Sequence, residues 1–171
     1  FKIGLDMNVK DFSLSFTNSA DDVLQVRNII GSGSNLISKI ESVKGVLNLG
    51  EILPVVDNIL IDRGDLSREV PIERIPFIQR RIISFTRSKD TPVFVATNLL
   101  ESMIKSESPT RAEANDVAST LLMGASGLVL AAETAIGDHP VGAVEMINLI
   151  IKQYNRWTTE SSFNDIIFQD D

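Results

Sequence analysis

The chain has 171 residues, 43% hydrophobic and 23% charged, an ordinary composition for one folded domain with a sizeable core. A net charge of −7, with no basic run or aromatic–basic interleaving, argues against nucleic acid or an anionic membrane surface as partner. The lack of cysteine excludes disulfides and thiolate metal sites, and no apolar run approaches a membrane span.

No signal peptide precedes the first expected strand, and the sequence opens on Phe1 rather than Met, which points to a processed or cut piece of something longer. Residues 11–16 (DFSLSF) read as that strand. Ser19 ahead of Ala20-Asp21-Asp22 looks like a helix start, with the hydroxyl as cap and acids in the first turn. Its helix carries Val23, Val26, Ile29 and Ile30 at helical spacing. Gly31-Ser32-Gly33-Ser34 is a flexible turn into a second strand over residues 36–41. It lacks the Lys-Ser/Thr ending of a phosphate loop and precedes a strand, so it is not read as one. A short helix over residues 43–53 follows, then a third strand over 58–61 that runs into Arg63-Gly64-Asp65. Pro71 opens a helix with Ile72, Ile75, Ile78, Ile82 and Ile83 on its apolar side. Residues 91–97 (TPVFVAT) form the fourth strand, and Thr110-Arg111-Ala112-Glu113 matches a capping box ahead of Val117, Leu121 and Leu122. Residues 127–132 give a fifth strand, and Pro140 sits in the first turn of the last helix. The acidic stretch from Thr158 onward has little periodicity. The expected division is therefore one domain over residues 1–157 and an exit segment over 158–171.

In a strand, alternate side chains share a face. Ile37, Lys39 and Glu41 therefore point one way, and Ser38 and Ile40 the other. Lys and Glu are rarely buried unless paired or bound to something. One reading is an ion pair at the strand end facing water. The other adds Asp65, which follows the third strand: two carboxylates at the ends of two strands, with a Lys beside one, suit a divalent metal and an anionic substrate. In that case the Glu41 and Asp65 carboxylate oxygens should approach to roughly 3 to 6 Å.

Strands and helices alternate at about 25 to 35 residues, the scale of a βα unit, which implies parallel strands. About five such units fit either an open doubly wound sheet or an α/β fold that is a partial (β/α)₈ TIM barrel. The barrel is preferred because the polar residues fall at the carboxyl ends of the strands, where barrel active sites are built. A whole barrel takes about 250 residues, so these strands alone should leave unpaired edges.

Seven segments carry a family likeness: Ile37-Ser38-Lys39-Ile40-Glu41, Arg63-Gly64-Asp65-Leu66, Pro92-Val93-Phe94-Val95-Ala96-Thr97, Leu100-Glu101-Ser102-Met103-Ile104, Pro109-Thr110-Arg111-Ala112-Glu113, Asp116-Val117-Ala118 and Glu133-Thr134-Ala135. In order and spacing they resemble the second half of the catalytic barrel of pyruvate kinase, over about residues 3–155. The resemblance implies a barrel of the phosphoenolpyruvate/pyruvate type and a cytoplasmic glycolytic phosphotransferase, forming pyruvate and ATP from phosphoenolpyruvate and ADP. It implies that Lys39 neutralises the phosphoryl group in flight. Glu41 and Asp65 would ligate Mg²⁺ or Mn²⁺, and the Gly64 and Asp65 N–H groups, with Arg63 beside them, would hold the substrate's carboxylate. Thr97 would line the pocket near the carbon that is protonated. K⁺ belongs to the family, but its ligands are not in this chain. A homo-oligomer or a longer chain is expected to complete the barrel.

Five positions depart from the family pattern. Ala131-Ala132 stands where Ser-Gly is usual before Glu-Thr-Ala, which removes a hydroxyl near the expected protonation site. Asp62 replaces the usual Ala before Arg63, placing a carboxylate that would repel an anionic substrate or pair with Arg63. Asn98 and Ser67 replace Gln and Gly. Two other functions compete: a metal-dependent lyase acting on an enolate, reusing Glu41 and Asp65, and a non-catalytic module that binds a small acid or serves assembly. Arg111 and Glu113 read as helix-capping residues, Glu133 as facing the mouth or pairing with an Arg. His139 reads as a surface residue, and Tyr154 and Trp157 as packing.

Overall fold

Alternation along the strands decides which side chains meet the helices and which face the opposite way. In the computed structural model, which describes residues 1–168, helix α1 (Lys2–Asp6) precedes strand β1 (Asp11–Leu14). Helix α2 (Ala20–Ile30) leads to β2 (Asn35–Ile40), and α3 (Val43–Leu47) with α4 (Leu49–Ile52) leads to β3 (Asn58–Asp62). The four-residue α5 (Arg63–Leu66) and the long α6 (Ile75–Arg87) precede β4 (Val93–Ala96). Helix α7 (Arg111–Leu122) leads to β5 (Gly127–Val129), followed by α8 (Ala132–Ala135), α9 (Pro140–Arg156) and α10 (Phe163–Ile167).

The strands form one parallel sheet in the order β1-β2-β3-β4-β5. A doubly wound sheet reverses its strand order and carries helices on both faces. Here the order follows the chain without reversal, and the main core lies on one face. Leu36 and Ile40 of β2, Ile59 and Ile61 of β3, and Val93 and Val95 of β4 pack against Val23 and Val26 of α2 and Ile82 and Ile83 of α6. Each fully buried Ile or Leu contributes about 1.5–3 kcal/mol relative to exposure. A second cluster joins Leu99, Leu100 and Met103 to Val117 and Leu121 of α7 and Ile147 of α9. The arrangement is an arc of a β/α barrel, with β1 and β5 at its two open edges.

The opposite face, which would be a barrel's interior, carries polar and half-exposed side chains. Asn35 Nδ2 donates to Asp11 Oδ1 at 2.8 Å, and Asn58 Nδ2 donates to Asn35 Oδ1 at 2.6 Å, a ladder across three strands near their amino ends. Lys39 and Asp62 lie on the same face toward the carboxyl ends.

Several boundaries differ from those expected. β1 stops at Leu14 because the chain turns at Phe16, whose φ is 50°. The helix expected over residues 43–53 is broken at Asn48, and Pro54 lies in a 3₁₀ turn, Leu53–Val55. Pro71 opens a 3₁₀ turn, Ile72–Arg74, and the α-helix begins only at Ile75. Ile72 is accordingly 77% exposed instead of in the core. β4 starts after Pro92, and β5 ends at Val129, three residues before its expected end. Helix α1 and the 3₁₀ turn Glu101–Ile104 had no sequence signal strong enough to be read. The expected exit segment contains α10, capped by Ser162 and Asp165. Its residues 169–171 lie outside the described residues. Among the described residues no helix is long and apolar enough to cross a membrane.

Candidate active site

The carboxyl ends of β2, β3 and β4 bring the sequence candidates together. Strand alternation sends Lys39 to the open face, where it is the register partner of Leu60. Its ammonium meets Glu41 Oε1 and lies 3.2 Å from Asp62 Oδ2. Glu41, one residue beyond β2, is 1% exposed, and its second oxygen accepts the Phe16 N–H at 2.5 Å. A buried carboxylate is stable only with such partners, and here both oxygens have one. The bend at Phe16 that ends β1 early is therefore what supplies a donor to the site.

Asp62 ends β3 and caps α5. Its Oδ1 accepts the Thr97 hydroxyl at 2.7 Å and, weakly, the Asp65 N–H at 3.5 Å. Burial works against ionisation of Asp62, but the Thr97 hydroxyl and the Lys39 ammonium outweigh it and hold the carboxyl below its ordinary range. Burial likewise disfavours the Lys39 ammonium, and the hydrogen bonds to Glu41 and Asp62 more than compensate, so its pKa is raised. Lys39 and Asp62 are therefore both ionised near neutral pH. Asp62 does not pair with Arg63, one of the two outcomes expected for it; it pairs with Lys39.

Arg63 points along the sheet instead. Its Nε and Nη2 donate to Thr97 O at 3.1 and 2.7 Å, and Nη2 also reaches Asn98 O at 3.2 Å. Nη1 bonds Asp116 Oδ2 at 2.6 Å and Gln79 Oε1 at 3.4 Å. The guanidinium is thus engaged by protein acceptors and braces the turn after β4. That turn needs bracing: Thr97 and Asn98 have φ of 76° and 55°, a left-handed conformation that is unfavourable for a β-branched residue. Gly64 fits beneath it for a steric reason, since a Cβ there would come within 2.7 Å of Thr97 Cγ2.

Glu41, Asp62 and Asp65 each offer a carboxylate oxygen, and these atoms lie within 4.8 Å of one another. The Glu41–Asp65 approach falls inside the expected window. Three hard oxygen donors of this charge suit a divalent cation such as Mg²⁺ or Mn²⁺. Asp62 was not foreseen as a member of this cluster. The available signal was its place two residues after inward-facing Leu60.

Among the described residues Glu133 makes no ion pair with an Arg. It is 1% exposed and accepts the N–H groups of Leu100 at 3.1 Å and Ala131 at 2.8 Å, tying the ends of β4 and β5 together. Ala131 lines a cavity of about 50 Å³ with Thr97, Asn98 and Glu101, so the hydroxyl usual there in the family would stand near Thr97. Glu113 caps α7 and also binds the Ser102 hydroxyl and N–H. Burial pushes its pKa up, but the donors from Ser102 and Thr110 prevail and hold it at about 2. His139 stands just ahead of α9, making no side-chain cap to it.

The fold and site define a segment of a β/α barrel with a lysine and three carboxylates at its strand ends. The chain belongs to the pyruvate kinase family: residues 1–144 match the model of the pyruvate kinase barrel domain. It is 43% identical over 155 residues to a pyruvate kinase of Thermotoga maritima, covering 89% of this chain and 33% of that protein. Against a pyruvate kinase of Dictyostelium discoideum it is 45% identical over 155 residues, covering 89% of this chain and 31% of the relative. The chain spans about a third of the length of the curated relatives it matches.

Proposed function

We propose that this chain is the site-bearing part of a pyruvate kinase-type phosphotransferase, converting phosphoenolpyruvate and ADP to pyruvate and ATP. The observation that carries the reading is the meeting of Lys39 with Glu41 and Asp62, whose carboxylates cluster with that of Asp65 at the carboxyl ends of adjacent strands. In the reaction an ADP oxygen attacks phosphorus, the bond from phosphorus to the enol oxygen breaks, and the resulting enolate takes a proton at carbon. Lys39 stands where a cationic donor would offset the charge of the moving phosphoryl group. Glu41 and Asp65 would hold Mg²⁺ or Mn²⁺, which supplies charge neutralisation to the substrate oxygens. The Gly64 and Asp65 N–H groups would receive the substrate's carboxylate, with Thr97 beside the carbon that is protonated. Arg63 serves this site as a positioning residue, holding Thr97 by its carbonyl. The family setting supports a cytoplasmic protein with K⁺ in the completed site and further barrel strands supplied by a longer chain or a second copy. In this reading residues 1–157 are the barrel segment and residues 158–171 the exit from it.

The test is phosphoenolpyruvate-dependent ATP formation by the natural full-length protein with Mg²⁺. Losing one preorganised electrostatic group typically costs about 10² to 10³ in kcat, and that loss is expected for Lys39→Met. Turnover unchanged in a folded Lys39→Met protein would overturn the assignment. A second reading, binding without turnover, is favoured by Ala131, which supplies no hydroxyl beside Thr97. Ala131→Ser should then raise turnover.

A further inference from the structure

Asp62 has both carboxylate oxygens engaged. Oδ2 lies 3.2 Å from the Lys39 ammonium, while Oδ1 accepts from the Thr97 hydroxyl at 2.7 Å and faces the Asp65 N–H at 3.5 Å. An ammonium, a hydroxyl and a backbone N–H converging on one carboxylate make the kind of donor set that binds a carboxylate ligand. We infer that Asp62 is a specificity-determining residue, an internal carboxylate seated on donors that an incoming carboxylate ligand needs, so that the ligand must displace it to bind. This assignment rests on the proposed placing of the ligand against Lys39, Thr97 and the Asp65 N–H, and adds what occupies them in the free protein.

Two physical consequences follow. Asp62 is fixed by β3 and by its cap on α5, so it competes at the high effective concentration of a tethered group. A ligand that displaces it does not remove its charge. The freed carboxylate stays near Glu41 and Asp65, whose oxygens already lie within 4.8 Å of it, and like charges this close repel each other and the ligand. A divalent cation is attracted by the same three carboxylates and opposed only by the Lys39 ammonium. The site therefore favours a cation over a carboxylate ligand, and Asp62 is the residue that sets the balance.

The experiment is calorimetric titration of the natural full-length protein, first with Mn²⁺ alone and then with oxalate at saturating Mn²⁺. Oxalate is a small dicarboxylate able to reach the same donors. The comparison is wild type against Asp62→Ala and Asp62→Asn. The Asn variant keeps an oxygen acceptor for Thr97 and for the cap, so it tests charge alone if Asp62→Ala does not fold. In every variant that folds, oxalate should bind about tenfold tighter or better, the scale expected from removing one close like charge. Equal or weaker oxalate binding in a folded variant that still binds Mn²⁺ overturns the role of Asp62 and leaves the proposed metal and anion site standing. Failure of wild type and folded variants alike to bind Mn²⁺ or oxalate overturns that site and the role of Asp62 with it.

Discussion

On the helix side of the sheet, Leu36, Ile40, Ile59, Ile61, Val93 and Val95 are fully or almost fully buried against α2 and α6. On the other side of the sheet stand Asp11, Asn35, Asn58, Lys39 and Asp62, half-exposed or exposed and bonded largely to one another. The first face is stabilised by area removed from water, which is insensitive to exact partners as long as volume is kept. The second is stabilised by specific partners, each of which leaves a polar or charged group unpartnered when removed. One face holds the fold together and the other carries the chemistry, and residues one step apart in the chain belong to different regimes.

The sharpest way to break this comparison is a cavity on the helix side. Ile61→Ala should lower stability by about 2–5 kcal/mol in urea unfolding, while Mn²⁺ affinity per folded molecule stays unchanged. A large fall in Mn²⁺ affinity would show the two faces to be mechanically coupled. Next in size is Lys39→Met on the open face. It leaves Glu41 and Asp62 without their counter-charge in partly buried surroundings, and a loss of about 1–3 kcal/mol is expected. Mn²⁺ alone should bind more tightly, since a competing cation has gone. Weaker Mn²⁺ binding would contradict the ionic account of this face.

The smallest effect expected comes from Glu113, which lies on neither face and joins the turn after β4 to α7. Its pKa is about 2 folded against an ordinary 4.5, so its stabilisation is complete above about pH 4.5 and is lost as pH falls toward 2. Because the carboxylate is largely solvent-screened, Glu113→Gln should cost only about 1 kcal/mol at neutral pH. The gap to wild type should close on acidification through that window. A gap that is constant with pH would mean that shape, not charge, matters there.

Much of this was legible in the sequence because its signals are local. The cap expected at Ser19 and the capping box at Thr110–Glu113 both form, and the alternation of Ile37, Lys39 and Glu41 puts the charged pair on one side. The approach of Glu41 to Asp65 followed from strand ends in a parallel sheet. What was not legible depends on contacts distant in sequence. Ile72 fits the helical apolar spacing, yet the 3₁₀ start of its helix rotates it into solvent. Asp62 looked like a charge that would repel a ligand or pair with its neighbour Arg63. Only the position of Thr97, 35 residues on, shows that Asp62 has donors of its own and that Arg63 is committed to the turn. Glu133 reads from its place after β5 as facing the mouth or pairing with an Arg, and its burial against the Leu100 N–H could not be foreseen.

The ladder from Asp11 through Asn35 to Asn58 bears on how the strands find their alignment. A slip of one residue in a parallel pair turns every side chain to the wrong face, and burial alone rejects it. A slip of two restores the alternation, so Leu36 and Ile40 would again face the helices and the apolar pattern would be blind to the error. The amide links are not blind to it. Asp11 and Asn35 are direct register partners, and Asn58 reaches Asn35 on the diagonal from Ile37, so a two-residue shift of β2 in either direction separates Asp11 from Asn35, and in one direction separates Asn58 from Asn35 as well. Three short polar side chains thus reject the even-numbered misalignments that an entirely apolar face would let pass.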